Sequence, residues 1–236
     1  MHSCTRLLKR PSHSKYQAGF TIIELMIATA VFSMVLLVIT VGVMHFTNDY
    51  YKGVNNSTTQ TTAQNAIDII SQAIKFSASQ PETYLTSGSP YFCIGNQEFV
   101  ATLGVQYNGG TPSSRNWGLY MFPMTTNTCS STMQLGGKEL LGKGMRLAAV
   151  SVSQSDPKLD PTLWKVSLTI AYGDADLLCR TSLGGAATGG CAQNAPAYPS
   201  NETVMGSDVQ CKSQVGSQFC SVASLSTIVQ ERIVGG

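Results

Sequence analysis

The chain is poor in charge. Lys, Arg, Asp and Glu make up 12% of its 236 residues, against about a quarter in an ordinary soluble domain. Ser, Thr, Gly, Asn and Gln fill the gap, a surface that suits an exported protein better than a cytosolic one. Histidine is scarcer still, with three in all and only His45 after the first nineteen residues. Neither a Ser-His-Asp nor a Cys-His catalytic set can therefore be assembled from the residues beyond 45, and an enzyme is disfavoured. No Cys-x-x-Cys spacing occurs, which argues against zinc, and His45 reads as an interfacial residue. The Gly-Gly-Ala-Ala-Thr-Gly-Gly run at 184–190 lacks the Gly-Lys-Ser/Thr ending of a phosphate loop. Asp174 and Asp176 fall short of the six or more oxygens that calcium takes, so they read as a solvated turn. No cofactor and no metal are expected.

An excess of basic charge is missing too. Arg6, Lys9, Arg10 and Lys15 lie in the first nineteen residues with no acidic partner, which leaves eleven basic against thirteen acidic residues in the remainder. That balance disfavours nucleic acid as a partner.

What the chain does have is one long apolar run. Residues 20–46 read FTIIELMIATAVFSMVLLVITVGVMHF, with Glu24 the one residue fully charged at neutral pH. A helix of that length spans roughly 40 Å, enough to cross the hydrocarbon core of a bilayer. The nearby cations all precede it, so residues 1–19 are expected in the cytoplasm and the rest across the membrane. A conventional secretory signal would have a shorter core followed by its cleavage site, but Ala28-Thr29-Ala30 falls inside the run. Glu24 is the costly residue, since a carboxylate in a spanning segment costs about 3 kcal/mol on insertion scales. Cleavage after Gly19 would expose an α-ammonium group on Phe20, and that cation beside Glu24 of a neighbouring subunit would offset the desolvation of both.

The sequence Gly19-Phe20-Thr21-Ile22-Ile23-Glu24-Leu25 resembles the class III signal of type IV prepilins and type II secretion pseudopilins. It combines a basic leader ending in Gly, an aromatic first mature residue, Glu at the fifth mature position and an unbroken apolar helix. The resemblance implies a prepilin peptidase that cuts between Gly19 and Phe20 and methylates the new amino group. It implies further partners in other pilin subunits, the assembly machinery and, before assembly, the inner membrane. The expected product is a structural subunit of a type IV pilus, with a minor pilin favoured, first a single-pass membrane protein and then part of a surface filament. A type II secretion pseudopilin, or a minor pilin that binds a surface or DNA, is the alternative.

The expected organisation is a leader at 1–19, a membrane and filament-core helix at 20–46, an amphipathic helix half at 47–80 and a disulfide-bonded, β-rich head at 81–236. Ala63, Ile67, Ile70 and Ile74 recur at helical spacing, whereas Gly42, Gly53 and the polar run 55–62 weaken the helix. From Trp164 to Tyr172 the pattern alternates with period two and predicts a central strand. Weaker strands are expected at 99–107, 117–122, 145–153 and 225–234. The fold class is α+β, a long N-terminal helix packed on an antiparallel sheet of four or five strands.

Cys4 lies in the leader and six cysteines follow the apolar run, an even number that suits an oxidising compartment. The expected pairs are Cys93 with Cys129, Cys179 with Cys220 and Cys191 with Cys211. Spacing alone leaves fifteen arrangements of six cysteines open.

Overall fold

The structure is a computed structural model, and it describes residues 19–77, 79–84, 89–109, 117–124, 129, 136–158, 160–180, 206–213 and 216–232. Most of the basic leader, the glycine-rich run at 184–190 and Cys191 lie outside the described residues. The chain divides into two units, Met1–Phe46 and Thr47–Gly236.

In the first unit the described residues are the non-helical 19–21 and the start of helix α1 (Ile22–Phe76). Every side chain from Ile22 to Phe46 is exposed, and an 18-residue window of the helix reaches a mean hydropathy of 2.6. A water-soluble domain does not present so continuous an apolar surface. The few hydroxyls are satisfied within the helix: Thr29 Oγ1 donates to Met26 O at 3.0 Å, Ser33 Oγ to Thr29 O at 2.8 Å and Thr40 Oγ1 to Leu36 O at 2.8 Å. A hydrocarbon environment requires this, because no water is there to take the hydrogen bond.

In the second unit the rest of α1 packs on a β-rich head. Ala63, Ala66, Ile67, Ile70 and Ile74 are buried in the main core. Their spacing gives the helix one apolar stripe, and that stripe is the face that meets the sheets. The helix runs unbroken through Gly53 and the polar run. The run's low propensity is offset by tertiary contacts: Asn55 Nδ2 donates to Gln218 O at 3.0 Å, Asn56 Oδ1 bonds Ser221 Oγ at 3.2 Å, and buried Thr59 bonds back to Asn55 O at 2.7 Å.

The head is antiparallel throughout its named strands. Strands β1 (Glu82–Tyr84), β2 (Tyr91–Ile94), β3 (Gln97–Ala101), β4 (Leu119–Pro123) and β5 (Lys138–Glu139) form a five-stranded meander in chain order. Its β2–β3 turn needs Gly95, whose φ of +59° suits a residue without Cβ. One face carries Phe92 stacked on Phe99, ring centroids 4.9 Å apart, into the main core. The other carries Val100, Tyr120 and Phe122 in a separate cluster.

Strands β6 (Met145–Asp156), β7 (Asp160–Tyr172) and β10 (Ser221–Gln230) form a second sheet in the order β10-β7-β6. β7 is central, and Trp164, Val166, Leu168 and Ile170 of its alternating set are all buried in the main core. At its C-terminal end both faces are covered, because Ala171 packs with Ala148, Leu177, Leu178, Val209 and Cys220. β8 (Leu178–Arg180) and β9 (Val209–Cys211) make a short hairpin under that cluster. The architecture is therefore α+β, a long N-terminal apolar helix followed by antiparallel sheets. Among the described residues the strands form three sheets, of five, three and two strands, where the pattern led to a single sheet of four or five.

Two ionisable groups, buried Arg146 and half-buried Glu139, tie the head's loops. Arg146 Nη2 donates to Gly173 O at 2.7 Å, and burial lowers its pKa while Asp174 opposes the shift. Glu139 accepts N–H bonds from Gly118 at 3.0 Å, Leu119 at 2.9 Å and Leu141 at 3.0 Å. Burial pushes its carboxyl above the ordinary value, and those N–H groups pull less strongly the other way. A raised folded pKa favours the native state while the group is protonated. The stabilisation is thus complete below the unfolded pKa and is lost as pH rises through the raised folded value.

Unfolding free energy measured against pH should accordingly show a falling segment starting near pH 4.5, the carboxyl's ordinary value. Glu139→Gln should flatten that segment; an unchanged slope would contradict the assignment. Ile70→Ala, at a site with 0% exposure, should cost about 2–5 kcal/mol of stability. Denaturant titration of the full chain in detergent, read by Trp fluorescence, measures both.

Candidate functional site

The site begins before the helix. Gly19, Phe20 and Thr21 are outside helical backbone, and Phe20 is 82% exposed. Among the described residues, a Cβ added at Gly19 would meet nothing within 4 Å.

Thr21 and Glu24 set the boundary. Glu24 N donates to Thr21 Oγ1 at 3.3 Å, while Thr21 N and Oγ1 both donate to Glu24 Oε2, at 3.4 Å and 3.2 Å. This reciprocal pair is a capping box, in which a Thr at the N-cap and a Glu three residues on satisfy each other's backbone N–H. The first helical bond follows, Leu25 N to Thr21 O at 3.3 Å. The cap fixes where the helix starts and so leaves the Gly19–Phe20 bond in the non-helical segment. Reading Glu24 for its charge alone misses this, although the T-x-x-E spacing before an apolar run is the sequence sign of such a cap. The structure thus brings Phe20, Thr21 and Glu24 to one helix end.

The disulfides lie in the head. Cys93 is bonded to Cys129, Cα atoms 5.8 Å apart, which ties β2 to the chain beyond β4. The nested pairs expected for the other four cysteines are corrected: Cys211 is bonded to Cys220, Cα atoms 5.8 Å apart. Cys211 is therefore not paired with Cys191, nor Cys220 with Cys179. The β8–β9 register gives the reason. Cys179 lies opposite Gln210 and Leu178 opposite Cys211, so Cys179 and Cys211 project from opposite faces of the hairpin. The 3-10 turn Ser217–Phe219 then returns Cys220 to the Cys211 side. Cys179 is itself disulfide-bonded.

Asp174 precedes the 3-10 turn Ala175–Leu177 and interacts with the Arg146 guanidinium. That cation would oppose a second one beside it. Among the described residues no group of three or more His, Cys, Asp or Glu side chains comes together.

Residues 14–40 match the family described as the prokaryotic N-terminal methylation motif. Neither the curated proteins nor the solved structures gave a match to the chain. The N-terminal segment is thus a class III prepilin signal leading into a long apolar helix of pilin type. The motif supports a member of the type IV pilin and pseudopilin group, anchored through this helix.

Removing the cap tests its role. Thr21→Val should raise amide hydrogen exchange at residues 22–25 in micelles by roughly fivefold, the equivalent of about 1 kcal/mol for a lost N-cap, and Thr21→Ser should restore protection. Equal exchange in all three would mean that the helix start does not depend on the box.

Proposed function

We propose that this chain is a minor subunit of a type IV pilus. A prepilin peptidase cuts it after Gly19 and methylates the amino group of Phe20. The protein then waits in the inner membrane, leader side in the cytoplasm and head outside, until the assembly machinery draws its helix into a filament core. The observation that carries this reading is the methylation motif running across the junction at Gly19 and into the exposed apolar helix. A helix that exposes its apolar side chains along residues 22–46 is stable in two surroundings, lipid and the like helices of a filament. The reading uses both in turn.

Glu24 has two roles in this scheme. In the monomer its carboxylate accepts from Thr21. On assembly it meets the cationic end of a neighbouring subunit, and the pairing of two desolvated charges sets the axial register. In this reading the head contributes no reaction; its Cys211–Cys220 disulfide holds the turn at Ser217–Phe219. A pseudopilin of a secretion system would use the same signal, and long surface fibres containing this subunit would separate the two.

The roles of Glu24 are separable. Glu24→Gln keeps an acceptor for the Thr21 N–H but removes the charge, while Glu24→Ala removes both. Both variants should insert and be cleaved, and both should yield few or no filaments by electron microscopy and by shearing assay. Normal filaments from Glu24→Gln would overturn the charge role and leave only the cap.

A further inference from the structure

A cluster of aromatic side chains sits exposed in the second unit, close in sequence to the end of the apolar run. Tyr50 is 60% exposed, Tyr51 45% and Val54 43%, and Phe219 from the far end of the chain joins them at 47%. The ring centroids of Tyr51 and Phe219 are 5.8 Å apart, and those of Tyr50 and Tyr51 are 6.1 Å apart.

This corner is built. Asn55, one helical turn beyond Tyr51, holds the backbone of Gln218. Asn56 holds Ser221. The Cys211–Cys220 disulfide fixes the residue after Phe219. Three constraints thus present an apolar ring to solvent, where burying it in the core would have gained free energy. Beside it runs a cleft of about 560 Å³ lined by Asp49, Lys52, Lys212, Ser213, Ser217 and Ser221 among others. Cations and hydroxyl donors there outnumber the one carboxylate.

We propose that this corner is a membrane-docking surface, with Tyr50, Tyr51 and Phe219 seated in the headgroup layer of the bilayer that holds the apolar helix. The proposal rests on that helix spanning a membrane. Continuity of the chain chooses the occupant. Tyr50 is the fourth residue after Phe46, so the backbone keeps it within about 14 Å of the end of the run even when fully extended, and about 6 Å along a helix. The headgroup layer beyond the hydrocarbon is of that order. Tyrosine favours this zone because its ring is apolar and its hydroxyl is polar. Phe219 comes with Tyr51, and exposed Lys52 and Ser213 of the adjacent cleft offer donors to lipid phosphates. The disulfide then has a purpose beyond stability: it locks a distant turn of the head into the surface that meets lipid.

The test uses the full chain with Phe219→p-benzoylphenylalanine, reconstituted in vesicles of phosphatidylethanolamine and phosphatidylglycerol. Ile228→p-benzoylphenylalanine is the control, since that residue is 60% exposed and lies seven positions past Ser221 along β10, roughly 23 Å at strand spacing. After irradiation, peptides are weighed by mass spectrometry. A mass shift equal to a phospholipid at position 219 and none at 228 is the expected result. A lipid shift at both positions, at neither, or a cross-link from 219 to a second copy of the chain would overturn the docking surface. Vesicle flotation after an alkaline carbonate wash separates the two levels of the argument. A chain that floats but takes no lipid at 219 refutes the docking alone, and a chain that does not float refutes the membrane anchor and the docking with it.

Discussion

A helix that starts in or near hydrocarbon must satisfy its first N–H groups without water, and that constraint governs the N-terminal end of this protein. Thr21 and Glu24 meet it together. The same carboxylate that closes the cap is the one charge in the apolar run, so the residue that defines the helix start is also the one least at ease in lipid. Everything proposed for the N terminus follows from that conflict. The junction at Gly19 stays outside the helix because the cap begins at Thr21. In the proposed filament, an amine exposed by cleavage would pair with that carboxylate.

The second unit solves a different problem. Its helix portion carries a polar run of low propensity, yet remains helical because Asn55 and Asn56 are engaged by the turn around Gln218 and by Ser221. The same contacts bring Phe219 to Tyr51. Packing of Ile67, Ile70 and Ile74 into the main core fixes the helix to the sheets, and the polar contacts fix the loop to the helix. The Cys211–Cys220 disulfide and the bonds to Asn55 and Asn56 thus tie Gln218 and Ser221 to the helix.

How much of this was legible in the sequence varies with the range of the interactions. The apolar run, the stripe from Ala63 to Ile74 and the alternation of β7 are local periodicities, and each was read as the element it forms. Glu24 is legible as an anomaly of charge, whereas its bond to Thr21 shows only once the helix end is formed. Helix continuity through Gly53 and the Asn-Thr run contradicts local propensity, since contacts from residues more than 150 positions away outweigh it. The disulfide pairing depends on which face of the β8–β9 hairpin each cysteine occupies, which no spacing rule contains. The meeting of Tyr51 with Phe219 is likewise invisible until the chain is folded.

The central claim is that proteolysis at Gly19 creates a cationic end at Phe20 to serve Glu24. Mass spectrometry of the N-terminal peptide from protein purified out of its native membranes or filaments tests it most directly. The account predicts a mature chain beginning at Phe20 with one methyl group on its amine. A chain that retains the basic leader, or one cut near Ala30 within the apolar run, would contradict it.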